Sequence, residues 1–434
     1  MRVFFDTVGC RLNQSEMDSL AAEFHAAGDE ILARPAQAEV VVLNTCAVTR
    51  EAERDSRSAA RRLHALAPQA RLVLTGCWAT LAAGEAHALP GVSRVVANAG
   101  KAALRESLTG AQRDALIGRA APPAPRRRTR AFLKVQDGCD NCCTFCVTRL
   151  ARGASRSRPL LDVLADAREL HARGAQEIVL TGVQLGAYGR EWGRGPALEG
   201  LLRALLEHTE VPRLRLSSLE PWDLAASFFE LWANPRLCPH LHLPLQSGAS
   251  GTLRRMGRRI TPEGYARMVE GARRAIPDVA ITTDVIVGFP GESRLEFEES
   301  LRLVEEMRFA DVHAFRFSPR AGTAAARFGD RPVPNQVRAR MAMLREVTQA
   351  SSEAFRSALL GRTLPVLWER EPHSTPNGLQ WHGLTHNFQR VQCAARAGLA
   401  NRILPTRLAA LENGVFLSLP ATDSSEPTVC QDGP

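Results

Sequence analysis

The chain has 434 residues, of which 45% are hydrophobic and 23% charged, so it can bury more than one core and stay soluble. Its formal net charge is +9 at pH 7 and its pI is about 9.4, which favours a polyanionic partner. No stretch of about 20 apolar residues could span a bilayer, and the N-terminus lacks the apolar run and cleavage site of a signal peptide. A cytoplasmic location is therefore expected, where ten cysteines favour metal binding or thiol chemistry over disulfides.

Residues 1–117 alternate short apolar runs with amphipathic helical patterns. Three β-branched, apolar runs are typical of buried strands: RVFF (2–5), EVVVLN (39–44) and RLVLTG (71–76). Helical patterns separate them at 14–28 and 51–68. Because strands alternate with helices, we expect an α/β domain built on a parallel sheet.

A segment rich in proline and arginine, residues 118–130, follows this domain. It contains three prolines, five arginines and no acidic residue. We expect an extended linker that cannot form a packed core. Arg126, Arg127 and Arg128 are candidate contacts to nucleic-acid phosphates, although a solvated arginine-rich surface has the same composition.

The alternation resumes over residues 131–360 and predicts six β/α units followed by a long helix at 335–361. The candidate strands are FLKV (132–135), EIVLTG (177–182), LRLSSL (214–219), HLHLPL (240–245), ITTDVIVGF (281–289) and VHAFRF (312–317). Six units are two short of a closed TIM barrel, so an open, partial (β/α)6 barrel is expected. In such folds the chemistry lies at the C-terminal ends of the strands.

Residues 361–420 contain short β-like runs broken by Gly, Asn and Pro, which fits a small β-barrel. Trp368, Trp381 and Phe388 could stack on nucleic-acid bases or belong to its core. The polar stretch 421–434 is expected to be disordered.

Three cysteines each follow a predicted strand of the first domain. Cys10, Cys46 and Cys77 stand in the contexts TVGC, LNTC and LTGC, separated by 36 and 31 residues, which is about one βαβ crossover each. The carboxyl ends of parallel strands share one edge, so the three thiols can converge. Three thiolates suit an iron–sulfur cluster with one open iron, whereas a structural zinc ion prefers four protein ligands. The alternative is three buried cysteines that end strands by chance.

Four more cysteines lie in GCDNCCTFC (138–146), directly after the first predicted barrel strand. Two cluster patterns are compatible with them. Cys139, Cys143 and Cys146 form CxxxCxxC, whereas Cys139, Cys142 and Cys146 form CxxCxxxC. No histidine is close enough in sequence to complete a zinc knuckle, and a thioredoxin-like CxxC should open a helix in a small βαβ domain.

CxxxCxxC with Phe145 before its last cysteine resembles the radical S-adenosylmethionine enzymes, as do the six β/α units. The resemblance implies that Cys139, Cys143 and Cys146 bind a 4Fe–4S cluster and that Cys142 does not. In that family S-adenosylmethionine binds the fourth iron and is cleaved to a 5′-deoxyadenosyl radical.

The N-terminal motifs narrow the resemblance. TVGCRLNQSEMDSL, VVLNTCAVTREAERDSRSAARR and VLTGCWAT resemble the N-terminal domain of the methylthiotransferases, which carries an auxiliary 4Fe–4S cluster. This implies Cys10, Cys46 and Cys77 as its ligands. The barrel motifs TGVQLGAYG, LSSLEP, HLPLQSGA and TTDVIVGFPGES agree, and GLTHNFQRVQ resembles a TRAM domain, a small RNA-binding β-barrel.

The resemblance also implies the chemistry and the contacts to S-adenosylmethionine. Two molecules are used per turnover: one yields the radical that abstracts hydrogen from C2 of a modified adenosine, and the other methylates sulfur held at the auxiliary cluster. The candidate cofactor contacts are Phe145, Gly182, Gln184, Glu220 and Gln246. Alternatively, these residues form hydrogen bonds with backbone groups at the strand ends and do not contact the cofactor. No catalytic residue is predicted beyond the cluster ligands.

Three kinds of substrate are known in this family: tRNA adenosines beside the anticodon with isopentenyl or threonylcarbamoyl groups, and a ribosomal-protein aspartate. NQSE, NTCAVT and SSLEP most resemble the threonylcarbamoyladenosine enzymes. We therefore expect methylthio transfer to C2 of N6-threonylcarbamoyladenosine in tRNA. The other two substrates, and a non-catalytic RNA-binding metalloprotein, are the alternatives. Arg149 and Cys142 depart from the proline and the aromatic residue usual in the family.

Arginine clusters beside the cysteine loop support an RNA partner. Arg152 and Arg156 are candidate phosphate contacts in a run without acidic residues, and RRMGRR (254–259) is a further cluster. The expected partners are the anticodon stem-loop of tRNA and an electron donor such as flavodoxin or ferredoxin, with no membrane. The sequence leaves the oligomeric state open and is compatible with a monomer.

Overall fold

A computed structural model of the chain describes residues 1–110, 129–193, 197–375, 378–394 and 398–418. It confirms the predicted fold class: a parallel-sheet α/β domain, a partial (β/α) barrel and a small C-terminal β-barrel. Arg126, Arg127 and Arg128 of the predicted linker and the tail 421–434 lie outside the described residues. Within the described ranges, no helix has both the length and the apolar character needed to cross a membrane.

The N-terminal domain is a five-stranded parallel sheet. Its strands are β1 (Arg2–Thr7), β2 (Glu30–Ile31), β3 (Val40–Thr45), β4 (Arg71–Gly76) and β5 (Val92–Val96). Its helices are α1 (Arg11–Ala26), α2 (Arg50–Leu66), α3 (Cys77–Leu81), α4 (Ala83–His87) and α5 (Leu104–Thr109). The strand order is β2-β1-β3-β4-β5, so the three strands followed by cysteines are neighbours. The central strand β3 is buried over its full length, as its run of valines predicts.

The barrel domain follows. Its strands are β6 (Arg130–Lys134), β7 (Gln136–Asp137), β8 (Arg156–Ser157), β9 (Glu177–Thr181), β10 (Arg213–Leu216), β11 (His240–His242), β12 (Ala280–Val287) and β13 (Asp311–Arg316). Its helices are α6 (Thr148–Arg152), α7 (Leu160–Ala172), α8 (Leu198–His208), α9 (Ser250–Met256), α10 (Pro262–Ala275), α11 (Arg294–Met307) and α12 (Pro334–Ser357). Two parallel sheets, β10-β9-β6 and β11-β12-β13, are linked by isolated bridges between Leu214 and Leu237 and between Ser218 and His242.

Alternation along these strands separates an apolar outer face from a polar lumen. Ile178, Leu214 and Ile281 belong to the core between the strands and the outer helices. Since successive side chains point to opposite faces of a strand, their neighbours in sequence face the lumen. The lumen face of the six principal strands therefore carries charged and polar residues, among them Glu177, Arg215, His240, Asp284 and His313.

The C-terminal domain is a small β-barrel. Its strands are β14 (Thr363–Trp368), β15 (His373–Thr375), β16 (Gly378–Thr385), β17 (Arg390–Ala394), β18 (Ile403–Glu412) and β19 (Val415–Ser418). The order is β14-β18-β19-β17-β16-β15, and pairing of β14 with β16 closes five strands into a barrel. Trp368 and Trp381 are 2% and 4% exposed within its core, so of their two predicted roles the structure supports packing.

Candidate active site

The first cysteine set lies along one edge of the N-terminal sheet. Cys10 precedes α1, Cys46 directly follows β3, and Cys77 is the first residue of α3 after β4. Because β1, β3 and β4 are adjacent and parallel, their carboxyl ends bring the three thiols together. Burial raises the pKa of Cys46 to about 11, and Cys10 and Cys77 act on it in the same direction, which they do only at close range.

Left-handed glycines shape this edge. Gly9 and Gly76 precede Cys10 and Cys77 and have φ of +106° and +99°. A Cβ on Gly9 would lie 2.7 Å from Cys46 Sγ, and one on Gly76 would overlap the backbone of Thr45. Only glycine fits such positions, so TVGC and LTGC need their glycines for the close approach of the cysteine turns.

The second cysteine set lies in the loop between β7 and α6. Burial raises the pKa of Cys139 to about 12, and Cys146 and Cys143 raise it further, so these three thiols are neighbours. Cys142 is exposed, and its Sγ accepts from Arg149 Nη1 at 3.4 Å. The two positions that depart from the family pattern therefore contact each other, outside the group of three.

The loop is fixed to the rest of the barrel by its backbone. Thr144 Oγ1 donates to the carbonyl of Arg255 at 2.8 Å, and Thr144 N donates to that of Met256 at 3.0 Å. Phe145 packs edge-on against Phe289, with ring centroids 6.3 Å apart. Gly138, before Cys139, has φ of +69°, and a Cβ there would overlap the carbonyl of Ala154. The loop is thus positioned both by this local turn and by contacts to residues more than 100 positions away in the sequence.

A buried ion network joins the N-terminal domain to the barrel between the two cysteine sets. Its five charged members are Glu16, Lys101, Lys134, Asp137 and Arg152. The Glu16 carboxylate lies 2.5 Å from Lys101 Nζ and 2.9 Å from Lys134 Nζ. Arg152 donates to Glu16 at 2.8 Å and to Asp137 at 3.0 Å. Because α1 supplies Glu16 and the barrel supplies Lys134 and Arg152, the network fixes one domain to the other.

The prediction that Arg152 contacts RNA is wrong, because its side chain is only 2% exposed and fully engaged in this network. Its Nη2 donates to Asn13 Oδ1 at 2.6 Å, and that oxygen lies 3.8 Å from Cys10 Sγ. At the other end of the network, Asp137 Oδ1 accepts a 2.8 Å hydrogen bond from Gly138 N, at the start of the second cysteine loop. The network therefore reaches from one cysteine set to the other.

Arg156, Arg149, Arg254 and Arg259 are exposed near the cysteine loop, as an RNA contact requires. Arg258, in the predicted RRMGRR phosphate cluster, is instead buried. It forms a 2.9 Å ion pair with Glu220 and its guanidinium lies 4.3 Å from the Trp222 ring centroid. A partner 38 positions away in sequence gives no local signal, which is why the sequence pattern missed it.

The predicted polar contacts sit at strand ends around the second cysteine set. Cys139 Sγ donates to Gln184 Oε1 at 3.3 Å, and Gln184 Nε2 donates to Asp223 Oδ2 at 2.9 Å. A Cβ on Gly182 would lie 2.9 Å from Gln136 Oε1, so glycine permits that close packing. These residues are within reach of a ligand at the loop, and Asp223 is a member that the sequence did not reveal.

Glu220 and Gln246 complete this rim. Burial raises the pKa of Glu220, Arg258 opposes that effect, and Asp223 and Asp284 add to it. Gln246 has φ of +71° and is held there by its N–H bonding the Asp284 carbonyl at 2.8 Å. A non-glycine residue held in this region by surrounding bonds is a recurrent feature of functional sites.

Below this rim, two histidines share one carboxylate in the lumen. His242 Nε2 and His313 Nδ1 lie 3.3 Å and 3.2 Å from Asp284 Oδ1. Burial raises the pKa of Asp284, but hydrogen bonds from His242 and His313 prevail and hold it well below its usual range. His313 is half exposed, so this side of the lumen is open to solvent between β13 and β6.

Two family models match the chain: the Radical SAM superfamily over residues 133–304 and the Uncharacterized protein family UPF0004 over residues 2–97. The Threonylcarbamoyladenosine tRNA methylthiotransferase MtaB of Thermotoga maritima is 38% identical over 85% of this chain and 86% of its own length. The chain belongs to the radical S-adenosylmethionine methylthiotransferases. The tRNA-2-methylthio-N(6)-dimethylallyladenosine synthase of Thermobifida fusca is 37% identical to this methylthiotransferase, over 83% of this chain and 76% of the relative. Because the two identities are so similar, they identify the chain as a tRNA methylthiotransferase but do not show which modified adenosine is its substrate.

A solved structure shares the fold of this methylthiotransferase. The radical S-adenosylmethionine methyltransferase TsrM of Kitasatospora setae superposes with a TM-score of 0.54, covering 73% of this chain and 74% of that one at 17% identity. This likeness concerns the fold alone.

Family membership implies a 4Fe–4S cluster and S-adenosylmethionine, and the residues of this methylthiotransferase fit both. Burial raises the pKa of Cys143 to about 11, so without metal its thiol is protonated at neutral pH. Buried neutral thiols grouped in threes become thiolates when iron binds, with release of protons. Gln184 and Glu220 supply an amide and a carboxylate beside the loop, and these two groups can form hydrogen bonds with the carboxylate and the amino group of an amino acid.

Proposed function

We propose that this methylthiotransferase adds a methylthio group to C2 of N6-threonylcarbamoyladenosine, next to the anticodon of tRNA. The NQSE, NTCAVT and SSLEP motifs support this substrate, as does the 38% identity to the Thermotoga maritima relative with that name. The expected macromolecular partner is the anticodon stem-loop, and a flavodoxin or ferredoxin is the expected source of electrons.

Two groups of three cysteines, tied together by one buried ion network, are the observation on which the proposal depends. Cys139, Cys143 and Cys146 are assigned to the cluster that binds S-adenosylmethionine. Cys10, Cys46 and Cys77 are assigned to an auxiliary 4Fe–4S cluster. When bound, these groups supply a 5′-deoxyadenosyl radical and an open iron for sulfur, with two S-adenosylmethionine molecules used per turnover.

Other residues of the site are assigned to binding and orienting S-adenosylmethionine. Glu220 is the proposed partner of the amino group of S-adenosylmethionine, because a cation there compensates a carboxylate whose pKa is raised by burial. Gln184 and Gln246 are assigned to its polar groups, and Gly182 and Phe145 to the packing beneath the loop. The ion network keeps the auxiliary cysteine edge aligned with the radical-forming loop through Arg152 and Glu16.

Exposed arginines beside the loop are assigned to the tRNA backbone. Arg149, Arg156, Arg254 and Arg259 surround the cysteine loop, and Arg126, Arg127 and Arg128 lie in the adjacent linker sequence. Neutralising backbone phosphates gives RNA affinity that falls steeply with salt.

Dimethylallyladenosine in tRNA is the second candidate substrate, because the Thermobifida fusca relative named for it is almost as similar, at 37% identity. The two substrates differ in one chemical group: the threonyl substituent carries a carboxylate, and the dimethylallyl substituent is apolar.

Reconstituted enzyme with reductant, S-adenosylmethionine and a sulfide source distinguishes them. Anticodon stem-loops with either adenosine are offered separately, and nucleosides are analysed by mass spectrometry. We expect a methylthio product with threonylcarbamoyladenosine and little with dimethylallyladenosine. The reverse preference would refute the proposed substrate, and 5′-deoxyadenosine with neither product would point to a different acceptor, such as a protein.

A further inference from the structure

Three arginines converge at the lower end of the barrel lumen, and we call them the lumen arginine cluster: Arg11, Arg130 and Arg215. Arg130 begins β6, Arg215 faces the lumen from β10, and Arg11 begins α1 immediately after Cys10. The cluster thus combines residues from both catalytic domains. Arg130 also lines a cavity of about 560 Å³ between β6 and the C-terminal barrel.

Positive charge exceeds negative charge around this cluster. Glu177 is fully buried and receives bonds from Arg215 at 2.8 Å and 3.0 Å. Arg213 lies 3.8 Å from the same carboxylate, although its donors bond carbonyls of the C-terminal barrel. Glu369 also attracts Arg130, but it is 54% exposed. One buried carboxylate therefore faces four guanidinium groups, and buried charges require partners.

The arginines lie around one aromatic ring. Their guanidinium carbons are 5.4 Å, 5.6 Å and 4.9 Å from the Phe388 centroid for Arg11, Arg130 and Arg215. His240 stacks on the same ring at 4.5 Å. When the flat face of a guanidinium lies against a ring, the N–H donors at the edge of the guanidinium can bind another partner.

Several of these polar groups make no hydrogen bond, although Arg130 Nη1 lies 4.0 Å from Glu177 Oε1. Buried Nη1 atoms of Arg130 and Arg215 make no hydrogen bond, and neither does buried Nδ1 of His240, within the described part of the chain. The Arg11 guanidinium likewise forms no hydrogen bond to a described residue, and the Phe388 ring is its contact. Unpaired buried donors are costly and rare in native proteins. Guanidinium donors of this kind favour an anionic ligand.

We propose that the lumen arginine cluster binds the carboxylate of the substrate's N6 substituent and so selects threonylcarbamoyladenosine; this inference rests on the proposed function. Carboxylates match the planar donor edge of arginine. The site is inside the lumen, below the loop that carries Cys139, and Arg11 is next to Cys10.

Substitutions separate this carboxylate from an RNA phosphate, which offers similar chemistry. Arg11→Gln and Arg130→Gln are compared with Arg294→Gln, whose side chain is 88% exposed on α11. Fluorescence anisotropy measures binding of stem-loops with threonylcarbamoyladenosine, with its carboxyl methyl ester, and with unmodified adenosine. Iron content and circular dichroism check that each variant is loaded and folded.

We expect wild type to bind the free acid about 10- to 100-fold more tightly than the methyl ester, the range for a bond to a charged group. Arg11→Gln and Arg130→Gln should remove most of that ratio and leave unmodified RNA unaffected, and Arg294→Gln should change neither. Equal losses on all three RNAs would identify a phosphate site and overturn the inference. A ratio near one in wild type would also overturn it, even though methylthio transfer to threonylcarbamoyladenosine could still be observed.

Discussion

Glu16 is the residue whose removal should disturb both cysteine sets at once. Its side chain is 5% exposed and accepts from three cations, Lys101, Lys134 and Arg152. Glu16→Gln keeps the shape and removes the charge, leaving Asp137 as the one carboxylate described in the network. Breaking a buried ion pair from one side costs about 3–5 kcal/mol. With an m-value of about 2–3 kcal/mol per molar urea, the unfolding midpoint of the apoprotein should fall by roughly 1–2.5 M.

The matched control is Glu298→Gln, which breaks the exposed pair between Arg294 and Glu298 on α11 and should leave the midpoint unchanged. The pH dependence gives a second test. Burial would raise the pKa of Glu16, but Lys101, Arg152 and Lys134 hold it well below its usual range. In the unfolded chain the pKa of a glutamate is about 4.3. Because the pKa of Glu16 is lower in the folded protein, its carboxylate stabilises the fold above about pH 4.3, and this stabilisation is lost as the pH falls toward the pKa of the folded state. The difference in unfolding midpoint between wild type and Glu16→Gln should therefore be constant from pH 7 to 5 and shrink below about pH 4. Equal midpoints for the two variants at pH 7 would refute the role given to the network.

Three further predictions concern the cysteine loops. Cys10→Ala should abolish methylthio transfer while 5′-deoxyadenosine is still formed, as measured by mass spectrometry; loss of both would show that the two cysteine sets do not divide the work. Anaerobic reconstitution should leave Cys142→Ala with wild-type iron and Cys143→Ala with about four irons fewer per chain, the content of one 4Fe–4S cluster; the opposite pattern would select CxxCxxxC. Gly138→Ala should lose the same irons because its Cβ overlaps a backbone carbonyl, whereas Gly200→Ala, on helix α8 with open space around it, should retain them; equal iron in both would contradict the packing argument.

Strand positions and the convergence of three distant cysteines could be predicted from the sequence. Apolar, β-branched runs such as VVVLNT in β3 specify buried parallel strands. Parallel topology then places the residues that follow β1, β3 and β4 on one edge, whatever their separation along the chain. The alternation that defines the lumen follows from the same strands.

Arginine roles could not be predicted this way. Arg152 and Arg156 stand four residues apart in one basic run, yet Arg152 is buried against Glu16 and Arg156 is exposed. The difference comes from a partner 136 positions earlier, which no local pattern contains. Arg258 is likewise defined by Glu220 and Trp222.

The modification of tRNA in a strain lacking this protein tests the central claim most directly. Total tRNA nucleosides from the deletion strain are compared with those from strains complemented by the wild-type chain or by Cys143→Ala. The account predicts that 2-methylthio-N6-threonylcarbamoyladenosine disappears on deletion, that its unthiolated precursor accumulates, and that the wild-type chain alone restores it. An unchanged level of this nucleoside in the deletion strain would contradict the account.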